Sequence, residues 1–176
     1  SVPRGKMIGG SSAINGMVYV RGQRQDYEDW KKLGNDEWGW ENVAKVFSKL
    51  ENYQSEFDQT FDSSRGREGP LCVTKIYDQN PLYQGLFEAA ESIGYRVNHD
   101  YNGTDQEGIA RTQATIREGK RMSTAQCYIK PALKRPNLTI ITRAHVEKLI
   151  LDGKQCVGVV YLKEGVKTEV RSGREV

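Results

Sequence analysis

Val43, Val46, Phe47 and Leu50 stand at i, i+3, i+4 and i+7, the spacing of one face of an α-helix. Before them, residues 26–33 predict a shorter helix closed by Gly34. The aromatic and aliphatic side chains of both segments read as core. A third helix carries clearer boundaries. Asn80 supplies an N-cap, Pro81 suits the first turn, Leu82, Leu86, Phe87, Ala90 and Ile93 share a face, and Gly94 leaves it. Strand-like runs lie at 71–76, after Gly69-Pro70, and at 109–116, with turns at Asn102-Gly103 and Gly119-Lys120. Ser123 with Gln126 three residues later forms a capping-box pattern, predicting a short helix that Lys130-Pro131 ends. Residues 138–142, 146–151, 156–162 and 166–171, with Asp152-Gly153 as a hairpin turn, predict an antiparallel meander. The fold class is therefore α/β, of the mixed α+β kind. Residues 55–69 turn polar around Ser63-Ser64-Arg65-Gly66-Arg67 and read as a mobile loop or lid.

Composition narrows the function classes. A length of 176 residues suits one domain, and 28% charged against 37% hydrophobic residues describes a polar chain that still buries a core. No apolar run approaches a membrane span, so this segment gives no membrane evidence. The formal charge of +3 is spread among interleaved acidic residues and leaves no stripe to track a phosphate backbone, which argues against nucleic acid as a partner. Cys72, Cys127 and Cys156 are too scattered for a zinc site or a disulfide framework and read as small buried thiols.

The chemistry-bearing feature is the segment from Arg4 to Tyr19. Between Gly5 and Gly16 it places four glycines, two serines and an asparagine in twelve residues. Gly9-Gly10 can take positive φ and bring main-chain N–H groups close to a flat or anionic ligand, while Ser11, Ser12 and Asn15 add short polar groups. A phosphate loop of the nucleotide-hydrolase type requires Gly-Lys-Ser/Thr after the glycines, whereas Lys6 precedes them. A glycine-rich surface turn has the same local composition. His99 and His145 are the only histidines; the first sits in a polar turn and the second beside a strand, and neither suits a catalytic base. Arg111, Arg117, Arg121 and Arg143 read as solvated ion pairs ahead of phosphate ligands. No serine-centred elbow or helical carboxylate pair suggests a hydrolase.

The loop continues into Tyr19-Val20-Arg21-Gly22-Gln23, Asp26-Tyr27-Glu28-Asp29-Trp30 and Trp38-Gly39-Trp40. In that order it resembles the flavin loop of the glucose-methanol-choline oxidoreductases, FAD-dependent alcohol oxidases and dehydrogenases. Asn80-Pro81, Asn102-Gly103, the run from Gly119 to Ala125, Arg135-Pro136-Asn137-Leu138 and Ala144-His145-Val146 extend the resemblance over nearly the whole chain, nearest the choline and alcohol dehydrogenase branch. It implies FAD as cofactor, held by Met7, Gly10, Ser11, Asn15, Gly16, Met17, Val18 and, at the adenine, the Val146 main chain. Ile14 stands where some relatives carry a histidine bonded to the flavin, so non-covalent FAD is expected. The resemblance also implies three stretches: 1–68 and 123–176 from a Rossmann-like FAD-binding domain, and 69–122 from a sheet-and-helix substrate-cap domain. The family's catalytic histidine belongs to a later part, so the chain reads as an internal piece, inactive alone, of an enzyme oxidising a small alcohol, choline-like or another primary alcohol. A flavin-bearing lyase of the same scaffold and a non-catalytic nucleotide-binding remnant are the alternatives.

Overall fold

Three helices fall where the 3.6-residue period places them: α1 (Arg24–Lys32), α2 (Trp40–Leu50) and α3 (Leu82–Ser92), in a computed structural model that describes residues 2–55 and 62–176. The Asp26 carboxylate accepts the Gln23 N–H at 2.9 Å, satisfying a donor and putting negative charge in the first turn of α1. Tyr27 ties α1 to α2 through rings 5.8 Å (Trp40) and 6.0 Å (Phe47) away. At α3 the Asn80 side chain accepts the Leu82 N–H at 3.0 Å, the cap read from the sequence.

Residues 1–134 and 135–176 form two compact units. In the first, β1 (Glu51–Gln54) runs parallel to β2 (Leu71–Lys75), which is antiparallel to β3 (Gln113–Ala114). Val18 bridges Ala114 in antiparallel sense, so the strand leaving the glycine-rich loop extends this sheet beyond β3. Tyr19, Tyr53 and Val73 form its buried core, with Leu71 against them. A hairpin of β4 (Ile116–Arg117) and β5 (Lys120–Arg121) turns at Glu118 and Gly119, both at positive φ as a two-residue turn requires. The second unit is the predicted meander: β6 (His145–Asp152), β7 (Gln155–Lys163) and β8 (Val166–Arg171), antiparallel in that order.

Four expectations change. The strand at 109–116 is broken, because its neighbours change along its length. Ile109 bridges Val97, Gln113–Ala114 joins β2, and Thr115 sends its N–H to the Met17 carbonyl at 2.8 Å. The helix does not stop at Lys130-Pro131: a π-helical turn, Ala125–Ile129, runs into α4 (Lys130–Ala132). Pro131 lies in the first turn of α4, where a missing N–H costs little. Residues 138–142 join no ladder among the described residues, and the Leu138 N–H instead closes a turn on the Arg135 carbonyl at 3.2 Å.

The fourth change concerns the lid. Residues 56–61 lie outside the described residues, but 62–69 are packed rather than loose. Arg65 is buried, the Gly66 carbonyl accepts the Tyr53 N–H at 2.8 Å, and a Cβ at Gly66 would overlap the Ser48 carbonyl oxygen. The polar composition of this stretch reflects charges that find buried partners. Asp62 anchors its start, accepting from Ser64 N–H (2.8 Å), Thr104 N–H (2.9 Å) and the Thr104 hydroxyl (2.6 Å). Partial burial pushes the Asp62 carboxyl up, but the hydrogen bonds from Thr104 and Ser64 outweigh it and hold the group well below the usual carboxylate range. A lowered folded pKa contributes stability that is fully present above the unfolded value of about 3.9 and is lost as the pH falls from there through the lower folded value. Asp62→Asn is therefore expected to flatten the acid limb of a plot of melting temperature against pH below about 4. An acid limb of unchanged slope would show that Asp62 carries no such linkage.

Candidate functional site

Gly9 (φ 93°) and Gly10 (φ 53°) both occupy the left-handed region, as the glycine pair predicts. The Gly10 N–H closes a turn on the Met7 carbonyl at 2.9 Å, and Gly10–Ala13 forms one 3-10 turn. The Gly5 backbone passes so close beneath this turn that a Cβ there would overlap the Gly10 carbonyl oxygen. Its N–H reaches the Ser11 hydroxyl at 3.2 Å. The Asn15 side-chain oxygen, Oδ1, accepts the Met17 N–H at 3.1 Å, which supports the positive φ of 62° at Met17.

The outer face is open. A Cβ placed on Gly10 or Gly16 would meet, beyond its chain neighbours, no atom of the described residues within 4 Å. Met7, Ile8, Ile14 and Val18 are all exposed apolar side chains along the same segment. Tyr19 N–H bonds to the Gln113 carbonyl (2.9 Å) and Thr115 N–H to the Met17 carbonyl, so Val18, between them, directs its own N–H and C=O away from β3. Neither the Gly16 nor the Val18 N–H has a partner among the described residues.

Two contacts fix the loop from far along the chain, and sequence reading missed both. The Ser12 hydroxyl donates to the Gly9 carbonyl at 2.6 Å and accepts the Thr124 N–H at 3.0 Å. The expected Ser123–Gln126 capping box does not form, since no side-chain cap hydrogen bond is made at this helix start, and the Thr124 N–H goes to Ser12 instead. Arg121, read as a solvated ion pair, instead donates through Nη1 to the Asn15 carbonyl (2.7 Å) and side-chain oxygen (2.8 Å). That places a fixed positive charge beside the loop. Arg111 likewise has no acid partner among the described contacts; its guanidinium lies over Tyr83 at 5.0 Å and Tyr77 at 5.3 Å. Arg117 donates to the Cys72 sulfur at 3.4 Å and lies 3.9 Å from Glu118. The one available signal for Arg121 was its place in a hairpin directly before Ser123-Thr124.

Behind the loop sits a buried charge cluster. Glu51 Oε1 accepts from Arg21 Nη2, Arg65 Nε (2.8 Å) and the Gly66 N–H (2.8 Å), while Oε2 accepts Arg65 Nη2 at 3.1 Å. Arg65 also reaches Asp100 at 2.5 Å and stacks 3.9 Å above the Tyr53 ring. Burial disfavours the Arg65 charge, but its hydrogen bonds to the Glu51 carboxylate, together with the negative charges of Glu51 and Asp100, outweigh this and raise its pKa. Burial, and then Glu51, push the Tyr19 hydroxyl up to about 12, so it keeps its proton through the physiological range.

Met7, Gly10, Ser11, Asn15, Gly16, Met17 and Val18 are thus gathered on one loop of the first unit. Val146 belongs to the second unit, half exposed on β6 opposite Tyr161. His99 and His145 are both exposed. Cys72 and Cys127 are buried and Cys156 partly so, all as free thiols. Among the described residues no three or more His, Cys, Asp or Glu side chains are grouped to hold a metal, and no helix is long and apolar enough to cross a membrane.

Comparison with known proteins shows the family. An alcohol dehydrogenase [acceptor] of Pseudomonas putida is 39% identical over 172 residues, 97% of this chain and 30% of that protein. An oxygen-dependent choline dehydrogenase of Brucella ovis is 41% identical over 174 residues, 99% of this chain and 31% of its own length. The chain therefore spans about a third of these relatives. Among solved structures, an FAD-dependent oxidoreductase from Chaetomium thermophilum superposes with a TM-score of 0.89 at 28% identity, over 98% of this chain and 32% of the other. Residues 1–176 match the family described as GMC oxidoreductase, and with relatives near 40% identity along its whole length the chain belongs to that family.

Proposed function

We propose that this chain is the flavin-loop part of an FAD-dependent oxidoreductase that acts on the CH–OH group of a small alcohol, choline-like or another primary alcohol. The observation that carries the reading is the open loop: a Val18 N–H directed away from β3, a Gly16 N–H with no partner among the described residues, space over Gly10 and Gly16, and exposed Met7, Ile8, Ile14 and Val18. That combination fits a flat ring with polar edges and an anionic tail, since the apolar side chains suit the ring and backbone donors suit its oxygens and phosphates. When bound, FAD supplies a ring that accepts hydride from a carbinol carbon, tuned by the donors around it.

In this reading the N–H groups of Gly16 and Val18 and the Met17 backbone orient the ring. Gly10, Ser11 and Asn15 line the path toward the pyrophosphate, with Arg121 as a neighbouring fixed cation, and Met7 covers one edge. Val146 contributes main-chain polar groups to the adenine. Residues 69–122 form part of the substrate cap, and 1–68 with 123–176 belong to the cofactor domain. In this reading neither His99 nor His145, both exposed, is the base that takes the hydroxyl proton. Ile14 cannot form the bond that a histidine makes to a flavin ring, so the cofactor is held without a covalent link.

Purified full-length protein is expected to show flavin absorbance and to release all of it into the supernatant on acid precipitation. Yellow colour left in the pellet would refute the non-covalent reading. Absence of flavin after reconstitution with excess FAD would remove the cofactor assignment itself. Reduction of the bound flavin by simple primary alcohols or choline under anaerobic conditions tests the substrate class.

A further inference from the structure

The Tyr19 carbonyl and the Arg21 N–H mark the point where the glycine-rich loop enters the sheet, and one fully buried side chain meets both. Asn102 donates through Nδ2 to the Tyr19 carbonyl at 3.0 Å and to Gln113 Oε1 at 2.9 Å, while its Oδ1 accepts the Arg21 N–H at 2.6 Å. Neighbouring Tyr101 donates its hydroxyl to the same Tyr19 carbonyl at 2.9 Å and accepts the Gln113 N–H at 2.8 Å. The orientation of the Asn102 amide is dictated by the charges around it. Gln113 Oε1 accepts from Arg65 Nη1 at 3.0 Å, and Gln113 Nε2 donates to Asp100 at 2.8 Å. Gln113 therefore presents oxygen to Asn102, and Asn102 must present nitrogen there and oxygen to Arg21.

The consequence reaches the loop through strand geometry. Side chains and backbone donors alternate along a strand, so a slip of one residue would turn the Val18 N–H toward β3 instead of outward. Holding residues 19 and 21 at two polar atoms of one rigid amide prevents that slip. We propose that Asn102, oriented by the buried Arg65–Asp100–Gln113 cluster, is a positioning residue for the loop, setting the register of residues 17–21 and so the outward aim of the Val18 N–H group. Its effect on FAD rests on the cofactor reading given above; its effect on register does not.

Asn102→Asp keeps the shape but offers acceptors where two donors are needed. In the apo form of the full-length protein, amide exchange at Tyr19 and Arg21 is expected to accelerate about tenfold or more relative to the β2 amides, with FAD affinity of the folded variant weakened by about tenfold. Tyr101→Phe, a milder change, is expected to move both readouts in the same direction and serves if Asn102→Asp does not fold. Exchange that rises evenly over β2, β3 and residues 19–21, or FAD affinity equal to wild type, would reduce Asn102 to a general stabiliser and overturn the proposal. Wild-type protein that binds no FAD would sink the cofactor reading alone, because exchange at residues 19 and 21 would still decide the register role.

Discussion

Glu51→Gln is expected to destabilise the protein by about 3–5 kcal/mol, the usual cost of removing one partner from a buried ion cluster. Arg21, Glu51, Arg65 and Asp100 carry two positive and two negative charges and sum to zero, with Glu51 fully buried at the centre. Its two carboxylate oxygens accept four donors, two of them a bidentate pair from Arg65. Glutamine would leave one oxygen, turn an NH2 toward a guanidinium, and strand a net positive charge away from water. Urea unfolding monitored by tryptophan fluorescence provides the measurement. A loss under about 1 kcal/mol would mean that the two arginines are served without the carboxylate, and the cluster would then be no more than a surface ion pair in effect.

The glycines of the loop divide into two kinds, and the expected results differ sharply. Gly5→Ala forces a methyl group into the Gly10 carbonyl oxygen and is expected to dismantle the turn that Gly9 and Gly10 build. Overpacking of this kind costs about 1–3 kcal/mol, and FAD binding is expected to be lost with the turn. Gly16→Val is the contrasting case. Gly16 is not at positive φ, and its Cβ direction is empty, so the apoprotein is expected to keep its stability to within about 0.5 kcal/mol. The isopropyl group would occupy the space assigned to the cofactor, and FAD affinity is expected to fall by about a hundredfold or more, as a ligand pressed against the backbone has no route around it. Titration of both apoproteins with FAD, alongside their melting temperatures, separates the cases. Gly16→Val protein that binds FAD as wild type does would show that the ligand does not lie over Gly16.

How much was readable before folding depended on sequence separation. The α1, α2 and α3 segments, the Asn80 cap and the 145–171 meander follow from spacings of two to seven residues and from turn residues beside them. The 55–69 stretch misled for a physical reason. Composition records that Arg65 and Asp62 are charged but not that Glu51, Asp100 and Thr104 wait for them, and without those partners a polar run resembles a solvated loop. Pro131 misled more locally, because the rule that proline stops a helix yields when the residue falls in the first turn of a new segment.

The sequence alone determined the local vocabulary of this chain: amphipathic helices with their caps, hairpins that need positive φ, and a glycine-rich loop able to bring its backbone against a flat or anionic ligand. These depend on interactions between near neighbours, which residue order states directly. Tertiary structure alone decided which polar groups the loop spends internally and which it leaves outward. Ser12 reaches Thr124 across 112 residues, Arg121 reaches Asn15 across 106, and Asn102 reaches Arg21 across 81. No periodicity encodes such pairings. They form because a buried donor or acceptor without a partner is costly, and only the folded chain brings the partners within reach.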